Sequence, residues 1–319
     1  MQTILITGGS GFLGRNLAAV LKKEYKVVLG GRNNSINNYA AKVTGCEVTP
    51  LDVSRIDSVR DTIDRYKPAI IIHAAATKYV DLSEINPHEC IDVNIVGSQN
   101  IARTAVDKGI KTVIGISTDK AALPCSGMYS MSKAIMERLF IRLDGQSDTR
   151  FCCLRMGNLC WSTGSVFPIW KKMLEKEGHI QTTGYDMRRF MFSVTKAVSM
   201  IVDVLNNTAH LHGKILAKKM KAVQIGTLLS QFIALYGGSY EKIAARIGEK
   251  DNEHMIGEAE LKYTSSITIN NHDYYLIDFS NETCRELAVP VSTLTVDPLS
   301  EEEIEDLLKP AHIGDLSSF

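Results

Sequence analysis

Residues 3–14 read TILITGGSGFLG, in which a short apolar run leads directly into a glycine-rich loop. The run predicts a strand at Ile4–Thr7, and Gly8, Gly11 and Gly14 follow at a Gly-x-x-Gly-x-x-Gly spacing before a helical pattern. Glycines so spaced permit a tight turn, a close approach of the backbone to a pyrophosphate, and close packing of helix on strand. Their position between a strand and a helix therefore predicts a dinucleotide site. The alternative is a glycine turn that binds no ligand.

The first half of the chain alternates short apolar strands with helical patterns. Helices are predicted near 12–22, 55–65, 87–108 and 128–144. Alternation of this kind predicts an α/β protein with a doubly wound parallel sheet of the Rossmann type. The predicted strands are Ile4–Thr7, Lys26–Gly30, Glu47–Asp52, Ala69–His73, Lys111–Ser117 and Arg150–Arg155.

After about residue 160 this alternation loosens. Short helices such as Phe167–Glu177 mix with isolated strand-like pieces such as Ser266–Asn270. We therefore predict a nucleotide-binding domain at 1–160, completed by part of 186–215. The remainder, 161–319, is predicted to be mainly a smaller mixed α/β substrate-binding region.

The overall composition is that of an ordinary globular protein. The chain has 319 residues, of which 45% are hydrophobic and 23% charged, and Lys+Arg and Asp+Glu are equal at 36 each. Nothing in this balance favours nucleic acid or an anionic membrane as a partner. The 7 cysteines are odd in number and lack metal spacing, which predicts reduced thiols in the cytoplasm and no metal site. No apolar stretch approaches the ~20 residues that span a bilayer, and no signal peptide precedes the glycine loop.

The end of the second predicted strand indicates which dinucleotide binds. NAD sites usually carry an acid there for the ribose 2′-hydroxyl, whereas this chain has Leu29-Gly30-Gly31-Arg32. A guanidinium fork suits a phosphate, so Arg32 favours NADP over NAD. The alternative is that Arg32 is a solvated loop residue. Asp52 is predicted to meet the adenine edge, and His73 is predicted to be structural rather than catalytic.

A second motif, Ser117-Thr118-Asp119-Lys120, follows the fifth predicted strand, and Tyr129 and Lys133 then stand one helical turn apart. In a nicotinamide oxidoreductase such a Lys lowers the pKa of the Tyr and holds the nicotinamide ribose, and the Tyr takes a hydroxyl proton as hydride leaves. Asp119 and Lys120 add an acid and a base, which predicts elimination chemistry coupled to hydride transfer. The alternative is a surface Asp-Lys pair in a loop.

Asp119 and Lys120 can act as acid and base near neutral pH only if their pKa values shift. The pKa of Asp119 must rise and that of Lys120 must fall by about three units each, on the order of 4 kcal/mol apiece. A direct salt bridge between them shifts both pKa values the wrong way. If extended backbone continues past the strand, the two side chains point to opposite sides. We therefore predict that they act at different substrate positions and that burial under a bound sugar supplies the shifts.

These motifs make the chain resemble a known family. It is similar to the soluble, inverting UDP-N-acetylglucosamine 4,6-dehydratases of bacterial flagellin glycosylation and capsule synthesis, which are extended short-chain dehydrogenase/reductases. The resemblance covers about residues 1–260, and its Thr-Asp-Lys signature is specific. The matching stretches are Ile4–Gly11, His73–Lys78, Asn86–Cys90, Asn94–Ser98, Ser117–Ala122, Gly157–Asn158, Gly164–Val166, Asp186–Phe190 and Gly248–Lys250.

The resemblance implies a catalytic cycle. Tyr129 would deprotonate the sugar 4-hydroxyl while hydride passes from C4 to NADP⁺, and Thr118 would hydrogen-bond the reacting oxygen. Lys120 would then remove the C5 proton, and Asp119 would protonate the departing 6-hydroxyl. Hydride returns to C6, and reprotonation of C5 on the opposite face inverts it. Related retaining enzymes have Glu at the position of Lys120, so the lysine points to inversion.

The resemblance also implies two sets of binding residues. The arginines of the substrate set would bind the diphosphate, and Glu249 would meet the uridine ribose. The cofactor set is Gly8, Ser10, Gly11, Phe12, Leu13, Gly14, Arg32, Asp52, Val53, Ala74, Ala75, Ala76, Lys78, Asn94, Tyr129 and Lys133. The substrate set is Lys78, Asn158, Ser165, Val166, Arg189, Arg246 and Glu249.

Departures from the family pattern lie mainly on the substrate side, where Trp161 replaces a glycine and Thr163 an arginine; one extra residue also precedes Tyr129. Two other functions therefore stay open. A nucleotide-sugar 4-epimerase or 4-dehydrogenase on the same fold would use Tyr129 without elimination and would not need Lys120. A non-catalytic NADP-binding regulator would need no Tyr129 and Lys133 pair. Relatives assemble through helices of the first domain, so we expect a homo-oligomer.

Overall fold

The computed structural model describes residues 1–245, 247–282 and 286–310. The strands are β1 (Thr3–Thr7), β2 (Lys26–Gly31), β3 (Glu47–Pro50), β4 (Ile70–His73), β5 (Thr112–Thr118), β6 (Arg150–Met156), β7 (Asn158–Leu159), β8 (His179–Thr182), β9 (Arg188–Phe192), β10 (Ile215–Lys218), β11 (Ala222–Gln224), β12 (Ser239–Lys242), β13 (His254–Ile256), β14 (Thr264–Ile269), β15 (His272–Ile277) and β16 (Val291–Ser292). The helices are α1 (Phe12–Leu21), α2 (Asn34–Thr44), α3 (Ile56–Tyr66), α4 (Val80–Ile85), α5 (Pro87–Cys90), α6 (Gly97–Asp107), α7 (Met128–Leu143), α8 (Val166–Glu177), α9 (Val194–Asn206), α10 (Thr208–Leu211), α11 (Ile225–Tyr236) and α12 (Glu301–Leu308).

The main sheet confirms the predicted doubly wound parallel fold. Its strand order is β14-β15-β10-β6-β5-β4-β1-β2-β3, and the strands from β10 to β3 are parallel. The strand order reverses between β1 and β4, where the carboxyl ends of parallel strands open a crevice for ligands. Three strands of the sheet come from beyond residue 160, and the division into domains at that residue stays a prediction.

Helices bury both faces of the sheet. Successive side chains of β1 alternate, so Ile4 and Ile6 enter one apolar core and Leu5 enters the other. The first core lies under α1 and α9, and the second lies under α3, α6 and α7. The two-sided burial explains why these strands are continuous apolar runs in the sequence.

Several elements differ from the sequence prediction. The third strand ends at Pro50, two residues early. Helix α2 was not predicted because its sequence is rich in asparagine; the side chain of Asn33 caps it by accepting a hydrogen bond from the backbone N of Ile36 at 3.1 Å. The single helix predicted at 87–108 is interrupted by a π-helical segment, Ile91–Val96.

The other strands beyond β6 form three small sheets, β11-β9-β7, β12-β8 and β13-β16. Arg155 of β6 is fully buried and joins this region to α7. It forms ion pairs with Glu137 of α7 at 2.6 Å and with Glu260 at 2.9 Å. Separating one partner from a buried ion pair leaves an uncompensated buried charge, which destabilises the fold. The two ion pairs of Arg155 therefore hold the segment around Glu260 against α7.

Candidate active site

A cleft with a volume of about 970 Å³ opens at the crevice between the main sheet and the small sheets. It brings together the glycine loop, the ends of β4 and β5, the start of α7, and residues 248–253. Most of the residues predicted from the sequence line it. Gly14, Asn94 and Asp119 lie behind its wall, and Arg246 lies outside the described residues.

The glycine loop brings backbone against backbone at one end of the cleft. A Cβ on Gly14 would lie 2.3 Å from the carbonyl oxygen of Gly9, and a Cβ on Gly8 would lie 2.9 Å from the Cα of Ala75. Gly8 also has a φ of +66°. Helix α1 begins here at Phe12, and its N-cap residue, Gly11, supplies no side-chain cap. The first N–H groups of the helix are therefore available to an anion, and the glycines let the surrounding backbone segments pack directly on one another.

Two arginines stand near α2 at the same end. The predicted residue, Arg32, forms an exposed ion pair with Glu89 at 3.1 Å. The second, Arg15, was not singled out in the sequence, although it is a basic residue directly after the third glycine. It donates to the carbonyl of Ser10 at 2.5 Å and stacks 5.1 Å from the ring centre of Tyr39. Among the described residues its buried Nε has no hydrogen-bond partner.

Three other residues of the predicted cofactor end have mainly internal partners. Asp52 accepts hydrogen bonds from the backbone and hydroxyl of Ser54 at 3.1 and 2.7 Å. Asn94 exchanges hydrogen bonds with the backbone of Thr77 at 2.8 and 3.0 Å, so it shapes the loop after β4 from behind. His73 bonds Thr7 at 2.8 Å and Ser98 at 3.1 Å, and burial lowers its pKa to about 3. These contacts agree with a structural role for His73.

Asp119 and Lys120 do not point to opposite sides as the sequence suggested. Strand β5 ends at Thr118, and a 3₁₀ turn at Asp119–Ala121 follows, so the alternation of an extended chain stops there. The Nζ of Lys120 lies 3.1 Å from Oδ1 of Asp119 and 2.9 Å from Oδ1 of Asn158. Burial lowers the pKa of Lys120, but Asp119 and Glu253 outweigh it, and the pKa lies above its usual value. The contact with Asp119 is the direct salt bridge that raises this pKa, and a fall under a bound sugar stays a prediction.

Glu253 is a further acidic residue of the cleft that was not predicted. Its side chain is 4% exposed, and its Oε1 lies 3.4 Å from the Nζ of Lys120. It stands in the run Asp251-Asn252-Glu253-His254, where nothing in the sequence marks which acid is buried. Lys120 therefore has a carboxylate on each of two sides.

Tyr129 and Lys133 both line the cleft from α7. Burial raises the pKa of Tyr129 to about 12, while the charge of Lys120 and a hydrogen bond with Thr118 act to lower it. The ammonium of Lys133 donates to the carbonyl of Ile116 at 2.6 Å, and burial lowers its pKa to about 8. Lys120 is thus a cation that lowers the pKa of Tyr129, and the role of Lys133 stays a prediction.

The substrate side of the cleft is assembled from distant segments. Lys78 crosses it to the carbonyl of Thr163 and to the hydroxyl of Ser162. Arg189 donates to the backbone carbonyls of Arg188 and Asp251 at 2.9 and 3.3 Å. Lys78 thus joins the loop after β4 to the loop of Ser162 and Thr163, and Arg189 joins strand β9 to the segment that contains Asp251.

Three more residues complete the predicted substrate set. Ser165 and Val166 line the cleft, as does Glu249, which accepts from the hydroxyl of Thr183 at 3.4 Å. The indole of Trp161 instead donates to the carbonyl of Leu307 at 3.0 Å, on α12. The ring of Trp161 therefore does not line the cleft, whose wall is formed here by Ser162–Val166.

A model of the family described as polysaccharide biosynthesis protein matches residues 4–273. This chain belongs to that family. Among its relatives is an inverting UDP-N-acetylglucosamine 4,6-dehydratase of Campylobacter jejuni, 34% identical, with 86% of this chain and 82% of the relative covered. An uncharacterized membrane protein of Methanocaldococcus jannaschii is also 34% identical, over 82% of both chains. A UDP-glucose 4-epimerase of Rickettsia felis is 29% identical, over 82% of this chain and 79% of the relative.

Solved structures show the same fold. Pen from Bacillus thuringiensis superposes with a TM-score of 0.86 over 96% of both chains, at 25% identity. A UDP-glucose 4-epimerase of Thermus thermophilus in complex with NAD superposes with a TM-score of 0.68, covering 78% of this chain and 89% of that one, at 17% identity. The family member described here thus has an extended short-chain dehydrogenase/reductase fold. Within its described residues, no helix has the length and apolar character to cross a membrane.

Proposed function

We propose that this chain is a nucleotide-sugar 4,6-dehydratase that inverts C5 and acts on UDP-N-acetylglucosamine or a close relative. The observation that carries the proposal is the meeting of Lys120, Asp119 and Tyr129 beside a dinucleotide loop. An oxidoreductase alone has no use for a buried acid–base pair next to its tyrosine. The same reaction is named for the Campylobacter jejuni relative.

Tyr129 is proposed to take the proton of the sugar 4-hydroxyl. A buried tyrosine resists ionisation, and its pKa lies at about 12. The charge of Lys120 and the hydrogen bond with Thr118 both favour the tyrosinate. The two neighbours thus act against the effect of burial, in the direction that a tyrosine base needs.

Asp119 is proposed to protonate the departing 6-hydroxyl. Its Oδ1 accepts from the hydroxyl of Thr118 at 2.8 Å and from the backbone N of Lys120 at 2.9 Å. Its Oδ2 is buried without a hydrogen-bond partner among the described residues. The unpaired oxygen is the atom left to hold a proton.

NADP is the proposed cofactor, and when bound it would accept a hydride from C4 and return one to C6. The uncapped start of α1 offers backbone N–H groups to its pyrophosphate. Arg32 and Arg15 put two guanidinium groups near α2, and no carboxylate ends β2, which reads Lys26–Gly31. This charge pattern suits a 2′-phosphate better than a free 2′-hydroxyl.

The substrate is proposed to occupy the far half of the cleft. Arg189 would bind its diphosphate, Glu249 its uridine ribose, and Lys78, Asn158, Ser165 and Val166 its sugar. Assembly as a homo-oligomer in the cytoplasm is part of the proposal. It is supported by exposed apolar side chains on the neighbouring helices α4 and α7, namely Leu82, Ile85, Met131 and Ile135.

A second candidate is a nucleotide-sugar 4-epimerase or 4-dehydrogenase. The raised pKa of Lys120 favours it, because a lysine that stays charged can stabilise a tyrosinate but cannot take a C5 proton. The epimerase of Rickettsia felis is also among the relatives. The two candidates differ in the need for a base at Lys120.

The deciding experiment is incubation with UDP-N-acetylglucosamine in deuterated water, followed by NMR and mass spectrometry. We expect a 4-keto-6-deoxy product with deuterium at an inverted C5. Lys120→Ala is expected to lower the rate of its formation about 10³-fold. An unchanged hexose or its 4-epimer would contradict the dehydratase, as would full turnover by the Lys120→Ala variant.

A further inference from the structure

The ammonium of Lys120 donates hydrogen bonds to Asn158 and Asp119 and forms an ion pair with Glu253. Its Nζ lies 2.9 Å from Oδ1 of Asn158, 3.1 Å from Oδ1 of Asp119 and 3.4 Å from Oε1 of Glu253. An ammonium has three donors and no lone pair. Lys120 can therefore take a proton from a sugar carbon only after it has given one of its own away.

The three acceptors differ in their capacity to receive that proton. Asn158 is an amide and stays neutral. Asp119 already accepts from the hydroxyl of Thr118 and from the backbone N of Lys120 on one oxygen, and it is the proposed donor of the proton that leaves with the 6-hydroxyl. Glu253 has no other task of this kind: among the described residues, only Lys120 pairs with its carboxylate.

The position of Glu253 is fixed by its backbone. Its N–H donates to the hydroxyl of Thr293 at 3.2 Å, and its carbonyl accepts from the N–H of Thr293 at 2.9 Å. The next residues form β13, which pairs with β16. Glu253 is 3% exposed and lines the cleft. A buried carboxylate held in this way, facing a buried lysine, is a built part of the site.

We propose that Glu253 is a positioning residue that receives one ammonium proton from Lys120, so that Lys120 can act as the base at C5. The inference rests on the proposed dehydration. One N–H bond of Lys120 breaks and one O–H bond of Glu253 forms, which converts an ion pair into a neutral pair. A bound sugar excludes water from the cleft, and loss of water favours the neutral pair over two buried charges.

The protons balance over the cycle, because the proton that Tyr129 takes from the 4-hydroxyl replaces the one that Asp119 gives to the departing 6-hydroxyl. Lys120 becomes an ammonium again when it takes the C5 proton, and it becomes neutral when it returns a proton to C5. Glu253 then gives its proton back to Lys120 and restores the starting pair. The other groups that face Lys120 are Asp119, Arg189 and Tyr129. The charge of Arg189 lowers the pKa of Lys120, and the two carboxylates raise it. Loss of the Glu253 charge therefore lowers the pKa of Lys120.

The test compares Glu253→Gln with the wild type and with Glu258→Gln, an exposed glutamate of the same segment. Two steps are followed separately: oxidation at C4, by the absorbance of the reduced nicotinamide, and formation of the C5-deuterated product. We expect Glu253→Gln to keep C4 oxidation within about twofold and to lose product formation by about 10²-fold. Glu258→Gln should behave as the wild type does.

The pH profile gives a readout that a purely structural role would not move. In Glu253→Gln the proton of Lys120 can leave only to solvent, so the rate of product formation should rise about tenfold per pH unit between about pH 6 and 8. The wild-type rate should be flat there. Glu253→Asp keeps the carboxylate on a shorter side chain and should give a flat profile at a lower rate. It serves as the second variant if the glutamine variant does not fold.

Each outcome bears on one statement. Glu253→Gln with full product formation and a flat profile would overturn the role of Glu253 and leave the dehydratase intact. Equal loss of both steps in Glu253→Gln, or a rising profile in Glu253→Asp, would also overturn it. Wild-type protein that oxidises C4 and never exchanges C5 would overturn the proposed function, and with it the role of Glu253.

Discussion

The two ends of the cleft are built in different ways. At the cofactor end, short continuous stretches of sequence place backbone against backbone, as where Gly14 meets Gly9 within one loop. At the substrate end, side chains from distant segments meet, as where Lys120 contacts Asn158 and Glu253. The first kind of site depends on the absence of side chains, and the second depends on the presence of particular ones.

This difference has a physical basis. A dinucleotide phosphate binds to N–H groups that every residue carries, so the chain needs only the right local conformation and enough room. A sugar must be oriented and its protons moved, which requires charged groups at defined places. Such groups can come from any part of the chain that the fold brings near.

The largest effect expected at the cofactor end is that of a single methyl group in Gly14→Ala. The new Cβ would lie 2.3 Å from the carbonyl oxygen of Gly9, and backbone cannot move aside as a side chain can. We expect a loss of about 3 kcal/mol in the free energy of unfolding and at least a 10²-fold weaker binding of NADP. Urea unfolding and titration calorimetry measure the two quantities.

The counterpart at the substrate end is Gly164→Ala. Its Cβ would meet the ring of Tyr79 at 2.5 Å, a side chain that can rotate away, although the φ of +76° still disfavours alanine. We expect a cost of about 1–2 kcal/mol and unchanged NADP affinity. If Gly164→Ala weakens NADP binding as strongly as Gly14→Ala does, the proposed contrast between the two ends is wrong.

A smaller effect is expected from the arginines near α2. Arg15→Ala should weaken NADP about tenfold, or about 1.4 kcal/mol, and leave NAD binding unchanged. Arg32→Ala should do less, because Arg32 is shared with Glu89 in an exposed pair. Glu89→Gln should in turn strengthen NADP binding. Calorimetric titration with both cofactors tests this, and equal losses for NADP and NAD would mean that neither arginine binds a 2′-phosphate.

The last effect concerns pH and the interior of the cofactor end. His73 has a pKa of about 3 in the folded chain and about 6.5 when unfolded. Between these values the unfolded chain binds more protons, so the free energy of unfolding falls with falling pH, with a slope of about 1.4 kcal/mol per unit from this residue. Urea titrations at several pH values should show a shallower fall in His73→Gln. His88→Gln, at an exposed position, should match the wild type, and an unchanged slope in His73→Gln would contradict the prediction.

Much of the fold could be predicted from the sequence because its signals are local. Apolar runs bounded by polar turns located the parallel strands, and the helical pattern after the glycine loop located α1. The sequence did not reveal α2, whose asparagines have low helix propensity and whose stability comes from its cap and from packing. Nor did it reveal the π-helical segment Ile91–Val96, which ties Asn94 to the distant backbone of Thr77.

The amino-acid sequence by itself determined the glycine loop, the order of strands and helices, and the candidate catalytic residues Thr118, Asp119, Lys120 and Tyr129. Each of these features is marked by a pattern within a short stretch of chain. Only the tertiary structure decided the state of Lys120. Its contact with Glu253 joins residues 133 positions apart. Burial then makes that contact strong enough to hold the lysine charged. Charge and burial act through space, and no local pattern records them.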